Sequence, residues 1–395
     1  MIIGIPKEIL RDEARVAALP ETVSQYRAMG FRVLVETSAG AGALRNDDEY
    51  RQAGAEIVRE SLDIYAQADL VLKVKQPWFH QPAGKHEAEL IRQGAMLIAF
   101  LHPAAPANHA TIEVLRRRQV TALTMDSIPR ISRAQPMDAL TSMSTISGYK
   151  AVLMAANRLP KFVPTIGTPL GTLKAAKILV VGAGVVGLQA IATAKRLGGT
   201  VQAVDIRHEA RRAAESLGVR VVGFEVPEEL ARGEGGYAKA LPDDWLQKER
   251  DALAPWIAEA DIVILSALVP GEVAPVLVTR DMVGRMNPGA VIVDVSVDQG
   301  GNCEVTEPGE ERSFGSVLVC GTWNIPGAMP VHASWLYAHN VLRYVQNLFK
   351  RGLDQPDFDD EIVRSSLVTR GGKIVHAGTL KAIQRGREPG GQGAG

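Results

Sequence analysis

KILVVGAGVVGLQAIATAKRLGGTVQAVDI, residues 177–206, decides how the rest of this chain is read. It opens on a short apolar run, turns through glycines at 182, 184 and 187, continues as a helical pattern, and ends in a second apolar run closed by Asp205. A lone G-x-G-x-x-G is a weak signal. Here strand, glycines, helix and second strand come in order, with an acid 23 residues beyond the first glycine. That is the setting of a dinucleotide-binding βαβ unit. Gly182 permits the tight turn, Gly184 lets backbone approach a pyrophosphate, and Gly187 lets helix and sheet pack closely. The helix start offers unpaired N–H groups and a partial positive charge to the phosphates. Asp205 is placed to accept both hydroxyls of the adenosine ribose and to repel a 2′-phosphate, which favours NAD(H) over NADP(H). Arg207 works against that preference, since an arginine can receive such a phosphate.

The same alternation extends in both directions. Apolar runs recur at DIVILSAL (261–268), AVIVDVSV (290–297) and SVLVCG (316–321), and earlier at MIIGI, FRVLVE, DLVLKVK, AMLIAFL and VTALTMD, beginning at 1, 31, 69, 95 and 120. Helical patterns lie between them, as at 20–30 and 106–118. Strand–helix alternation predicts parallel sheets covered on both faces. A long helical pattern at 137–159 leaves the first series, and another at 331–349 returns to it. The expected fold class is α/β, with two doubly wound, Rossmann-like domains joined by long helices and NAD in the cleft. The domain expectation is residues 1–145 plus 330–395, with a nucleotide-binding domain at 146–329 between them. The tail GREPGGQGAG has no apolar run and is expected to be disordered.

Composition narrows the function classes. The chain has 395 residues, 44 Lys plus Arg against 44 Asp plus Glu, 46% hydrophobic, 22% charged and 5% aromatic. Zero net charge argues against a basic nucleic-acid face or a polybasic membrane anchor. Few aromatics argue against a single-strand stacking platform. Cys303 and Cys320 are too few for a disulfide framework and are expected as reduced thiols. The uncharged stretch between Lys177 and Lys195 is 17 residues long and holds three glycines, short of the about 20 that span a bilayer. No transmembrane helix is expected. His80 with His86 and His332 with His339 lack metal-pair spacing, and no Cys or carboxylate cluster completes a tetrahedral site, so no metal is expected. Ser142, Ser144 and Ser147 have no G-x-S-x-G elbow.

PRISRAQPMDAL (129–140), the glycine site at 182–198, GEGGYAKAL (233–241) and GGNCEVTEPGE (300–310) resemble the proton-translocating NAD(P) transhydrogenases, in the family that also holds alanine dehydrogenase. The likeness is to their NAD(H)-binding component, a separate soluble alpha-1 subunit in some bacteria, and runs from IGIPKE to about residue 385. The resemblance implies direct hydride transfer between NADH on this chain and NADP⁺ on an NADP(H)-binding beta subunit. A membrane-spanning subunit would couple that transfer to proton movement. It implies a homodimer, cytoplasmic and peripheral on the inner membrane's cytoplasmic face through its partners. Arg130, Gln135 and Asp138 then lie beside the nicotinamide and its ribose, and Tyr237 on a loop that closes over nucleotide. Gly182, Gly184, Val185, Gly187, Asp205 and Arg207 hold the adenosine end. Hydride passage between two nicotinamides releases no proton at the reacting carbons, so the protein's task is to position rings and exclude water. From the residues alone, PRISRAQPMD reads equally as a turn and helix start, with Asp138 at the helix N-terminus.

Arg15, Lys75, His102 and Asp298 match positions that alanine dehydrogenases use. There Arg15 and Lys75 would hold pyruvate, His102 would exchange a proton as hydride moves, and Asp298 would orient the substrate. The plainer reading is a substrate pocket inherited with the fold. A third possibility is an NAD-binding sensor without turnover.

Overall fold

The computed structural model describes residues 1–233, 238–269 and 273–385. The chain divides into two units, Met1–Met143 with Gly327 onward, and Ser144–Pro326.

The first unit is built on an eight-stranded sheet. Ile2–Ile5 pairs in parallel with Arg32–Glu36 on one side and Leu70–Leu72 on the other. Glu56–Val58 extends the first side, and Met96–Ala99 then Thr121–Thr124 extend the second. The hairpin Leu367–Arg370 and Lys373–Ile374 closes that edge antiparallel, which is why the C-terminal segment belongs to this unit. Leu70–Leu72 and Met96–Ala99 are buried at every position, as strands covered on both faces must be.

The second unit repeats the plan in a seven-stranded sheet. Lys177–Val181 is flanked in parallel by Thr200–Val204 and Ile262–Leu265. Arg220–Val221 continues one side, while Val291–Asp294 and Val317–Cys320 continue the other. Glu311–Phe314 adds an antiparallel edge. In each sheet the strand order reverses beside its first strand, which leaves a crevice at the strands' carboxyl ends.

The helix expected from 137 begins at Ala139 and runs to Arg158. Ser132–Met137 is instead a 3-10 turn containing Pro136; the ring removes a backbone donor and cannot continue an α-helix inward from that point. The return helix is Pro330–Leu348. Among the described residues no helix is long and apolar enough to cross a membrane.

Candidate functional site

The glycine turn is fixed by backbone sterics. Gly182 has φ +90°, and a Cβ there would stand 2.8 Å from the carbonyl of Ser266 and 2.9 Å from the Ala267 nitrogen. Only glycine takes both that conformation and that approach. A Cβ on Gly187 would lie 1.8 Å from the Gly182 oxygen, so the helix must start against the turn itself. Gly184 caps the helix Val185–Arg196 with no side-chain bond of its own, which leaves the first N–H groups directed out of the turn.

Asp205 ends the neighbouring strand and is buried. Its Oδ2 accepts the Ala183 N–H at 2.8 Å and Arg207 Nη2 at 2.9 Å, while Oδ1 accepts the Arg207 N–H at 2.8 Å and Nε at 3.1 Å. Sequence reasoning paired both residues with nucleotide; it did not show them gripping each other. On the adjacent helix Asp243–Glu259, the buried Glu249 carboxyl is pushed up to about 7, by burial first and by the nearby Asp205 charge second.

Two residues that the sequence did not single out organise the neighbouring strand ends. Asn302 is fully buried: its side-chain oxygen accepts from Ala267 N–H and Ser296 Oγ, and its amide donates to the carbonyls of Ala267 and Pro275. Asp294 accepts from the N–H groups of Ser296, Asn302 and Cys303 and from Thr306 Oγ1. Together they fix the backbone that presses on Gly182. Cys303 is buried and burial pushes its thiol up to about 11, so it is not a reactive thiolate at neutral pH. Asp298 lies exposed in the turn Val297–Gln299 of this second unit.

In the first unit, the PRISRAQ segment is pinned from behind. Arg133 bonds Asn347 and Asp360, the Pro136 carbonyl accepts from Asn340, and Ala134 and Met137 are buried. Arg130 and Gln135 remain exposed. Asp138 accepts the Thr141 N–H at 2.8 Å and its hydroxyl at 2.6 Å, so the helix-start reading of Asp138 holds. Tyr237 lies outside the described residues.

Arg15, Lys75 and His102 all follow the carboxyl ends of adjacent strands of the first sheet. Arg15 is buried and bound through two nitrogens to the buried carboxylate of Glu13. Lys73, two residues before Lys75, is buried between Glu8 at 3.3 Å and Glu87 at 3.1 Å. Burial alone would lower Lys73, but the two carboxylates raise it; Glu8 is pushed up to about 7 by burial. His102, at φ +44°, places Nδ1 2.8 Å from Asp126 Oδ1. Asp126 Oδ2 also accepts the N–H groups of Leu101 and His102 and the Thr124 hydroxyl. Burial opposes its ionisation, yet His102 and these bonds outweigh burial and hold the carboxyl at about 2. No group of three metal-ligating side chains gathers among the described residues.

A doubly wound sheet whose first crossover is a glycine turn opening a helix, with an acid ending the next strand, defines a nicotinamide-dinucleotide-binding oxidoreductase fold. Family models place the chain within that class: "Alanine dehydrogenase/PNT, N-terminal domain" matches residues 4–147 and "Alanine dehydrogenase/PNT, C-terminal domain" residues 151–377. The chain belongs to the alanine dehydrogenase/PNT family. It is 41% identical over 379 residues to the first of the chains that make up the NAD(P) transhydrogenase alpha subunit of Rhodospirillum rubrum, covering 95% of this chain and 98% of that one. The crystal structure of a transhydrogenase from Sinorhizobium meliloti matches with TM-score 0.81 and 37% identity, over 95% of this chain and 99% of the other. An L-alanine dehydrogenase structure matches with the same TM-score, 0.81, at 31% identity over 97% and 99%. Backbone shape therefore does not separate the two activities; sequence identity does.

Proposed function

We propose that this chain is the NAD(H)-binding component of an NAD(P) transhydrogenase, working with a partner that holds NADP(H) and with a membrane-spanning partner that couples transfer to proton movement. The observation that carries this reading is the 41% identity along almost the whole of a transhydrogenase alpha-subunit chain, against 31% to an alanine dehydrogenase whose backbone fits as closely as a transhydrogenase's. The residues fit the nucleotide: the Gly182–Gly187 turn and the start of the Val185–Arg196 helix receive the pyrophosphate, and Asp205 the adenosine ribose. Bound NADH supplies the hydride. Arg130 and Gln135, exposed on a segment pinned by Arg133 and Pro136, orient the carboxamide and ribose, with Asp138 holding the segment's end. Tyr237 belongs to the closing loop. A homodimer on the cytoplasmic face of the inner membrane completes the proposal.

The alternative, alanine dehydrogenase, is favoured by the His102–Asp126 pair, an arrangement suited to proton exchange, on the strand end next to that of Lys75. Ammonia, pyruvate and NADH given to the purified chain separate the two. Little oxidation is expected alone, and transfer to an NADP⁺ analogue once the partner NADP(H)-binding subunit is added. Rapid oxidation without partner overturns the transhydrogenase reading. Arg130→Ala should slow transfer about a hundredfold while weakening NADH binding only a fewfold; the reverse pattern removes Arg130 from the nicotinamide end.

A further inference from the structure

The grip of Arg207 on Asp205 raises a question of capacity. A carboxylate offers about four acceptor directions, and on Asp205 four donors already occupy them. Two are backbone N–H groups, fixed by the glycine turn and by the strand end. The other two are guanidinium nitrogens on a side chain with rotatable bonds. A ribose diol brings two donors of its own, so it binds Asp205 only where the guanidinium yields.

Electrostatics sharpen the point. Asp205 alone would repel a 2′-phosphate; with Arg207 at 2.9 Å the pair is neutral. Arg207 Nη2 also lies 3.8 Å from where a Cβ of Gly184 would stand, beside the helix start that attracts phosphate. Glu249 adds a second acid that feels the Asp205 charge, so without the arginine this pocket turns strongly acidic.

We propose that Arg207 is the specificity-determining residue of the nucleotide site: the ribose diol of NAD(H) replaces its guanidinium on Asp205, and a 2′-phosphate is admitted to the extent that the same guanidinium pairs with it. The proposal rests on the reading of Asp205 as the ribose acceptor. It makes the chain less strict against NADP(H) than its acidic strand end implies, because the residue that masks the repulsion also rewards the phosphate.

The test uses the full chain and nicotinamide fluorescence to obtain Kd for NADH and NADPH. Arg207→Gln should raise the NADPH-to-NADH ratio of Kd values about tenfold or more, the scale of one lost charge-assisted hydrogen bond; NADH changes less, since it loses a competitor along with a charge. A second measurement needs no variant. Raising salt on the unaltered protein should weaken NADPH more than NADH if the 2′-phosphate sits on Arg207, and strengthen it relative to NADH if that phosphate meets only repulsion. An unchanged ratio in Arg207→Gln, or relative strengthening with salt, overturns the proposal. Asp205→Asn separates the two layers. It should weaken NADH at least about tenfold; if NADH binds it as before, the ribose assignment fails and the proposal falls with it, whereas weakening together with an Arg207-independent ratio overturns the proposal alone.

Discussion

The two sheets follow one strand order and differ where the chain first leaves them. In the second unit only Gly182–Gly184 separates the strand Lys177–Val181 from the helix Val185–Arg196. In the first, the segment from Pro6 to Leu19 intervenes before the helix Pro20–Ala28. The short crossover presents backbone N–H groups and a helix end, suited to the diffuse charge of phosphates. The long one brings buried ionised side chains, Glu8, Glu13 and Arg15, to the strand ends, where Glu8 meets Lys73. Topology puts a crevice in the same place in both units. The first crossover decides whether that crevice is lined by backbone dipoles or by paired charges.

The largest expected effect tests this directly. Gly187→Ala drives a Cβ to 1.8 Å from a backbone oxygen that cannot yield, and should cost about a hundredfold or more in ADP-ribose affinity. The corresponding close approach in the first unit is Gly4, where a Cβ would meet Ile64 Cγ2 at 2.3 Å and Ala68 Cβ at 2.8 Å. Gly4→Ala should lower stability by about 1–3 kcal/mol and leave ADP-ribose affinity unchanged. Equal losses of affinity in the two variants would erase the distinction between the crossovers. Isothermal titration with parallel thermal melts measures both.

The contrast between the units also shows what the sequence could carry. Both series of parallel strands were legible because strands buried on both faces are continuous apolar runs. Glu311–Phe314, exposed along most of its length, and the two-residue Lys373–Ile374 have no such pattern and were not read. Gly182 and Gly187 were legible because a backbone constraint is written into residue type. Asp126, Glu13 and Asn302 were not, since their roles arise from partners brought close by folding. Many acids precede a helix or follow a strand; only the fold shows that this one carries His102. Asp138 was legible in its plain role, as the helix cap it proves to be.

Asp126 offers the next effect in size. It braces the left-handed turn at His102 by bonds to Leu101, His102 and Thr124. Its carboxyl is held near 2, below the ordinary 3.8, so its stabilisation is present above about pH 4 and is lost as pH falls toward 2. Asp126→Asn should cost about 2 kcal/mol near neutrality. The gap between variant and unaltered protein should close between pH 4 and pH 2 in urea titrations. A gap constant down to pH 2 would mean that packing, not charge, supplies the effect. If the first unit takes no part in proton chemistry, transhydrogenation per folded molecule should be little changed.

The smallest effect contrasts two buried acids, both pushed up to about 7 by burial. Glu8 faces Lys73 at 3.3 Å; Glu249 has no ion pair among the described residues, and its near neighbour Asp205 repels it further. For Glu249 the native state holds a proton that the unfolded chain has released, so stability falls as pH rises from about 4.5 to about 7. Full linkage over that interval would be about 3 kcal/mol. A buried glutamine amide carries its own cost of about 1–3 kcal/mol. Glu249→Gln should therefore gain only about 1 kcal/mol at pH 8 and lose stability at pH 5, crossing zero between them. Glu8→Gln should destabilise at both pH values, because it strips Lys73 of a buried counter-charge. Opposite signs at pH 8 are the expected result. If both variants lose stability there, Glu249 has a stabilising partner in the folded protein, and the contrast between a paired and an unpaired buried acid does not hold.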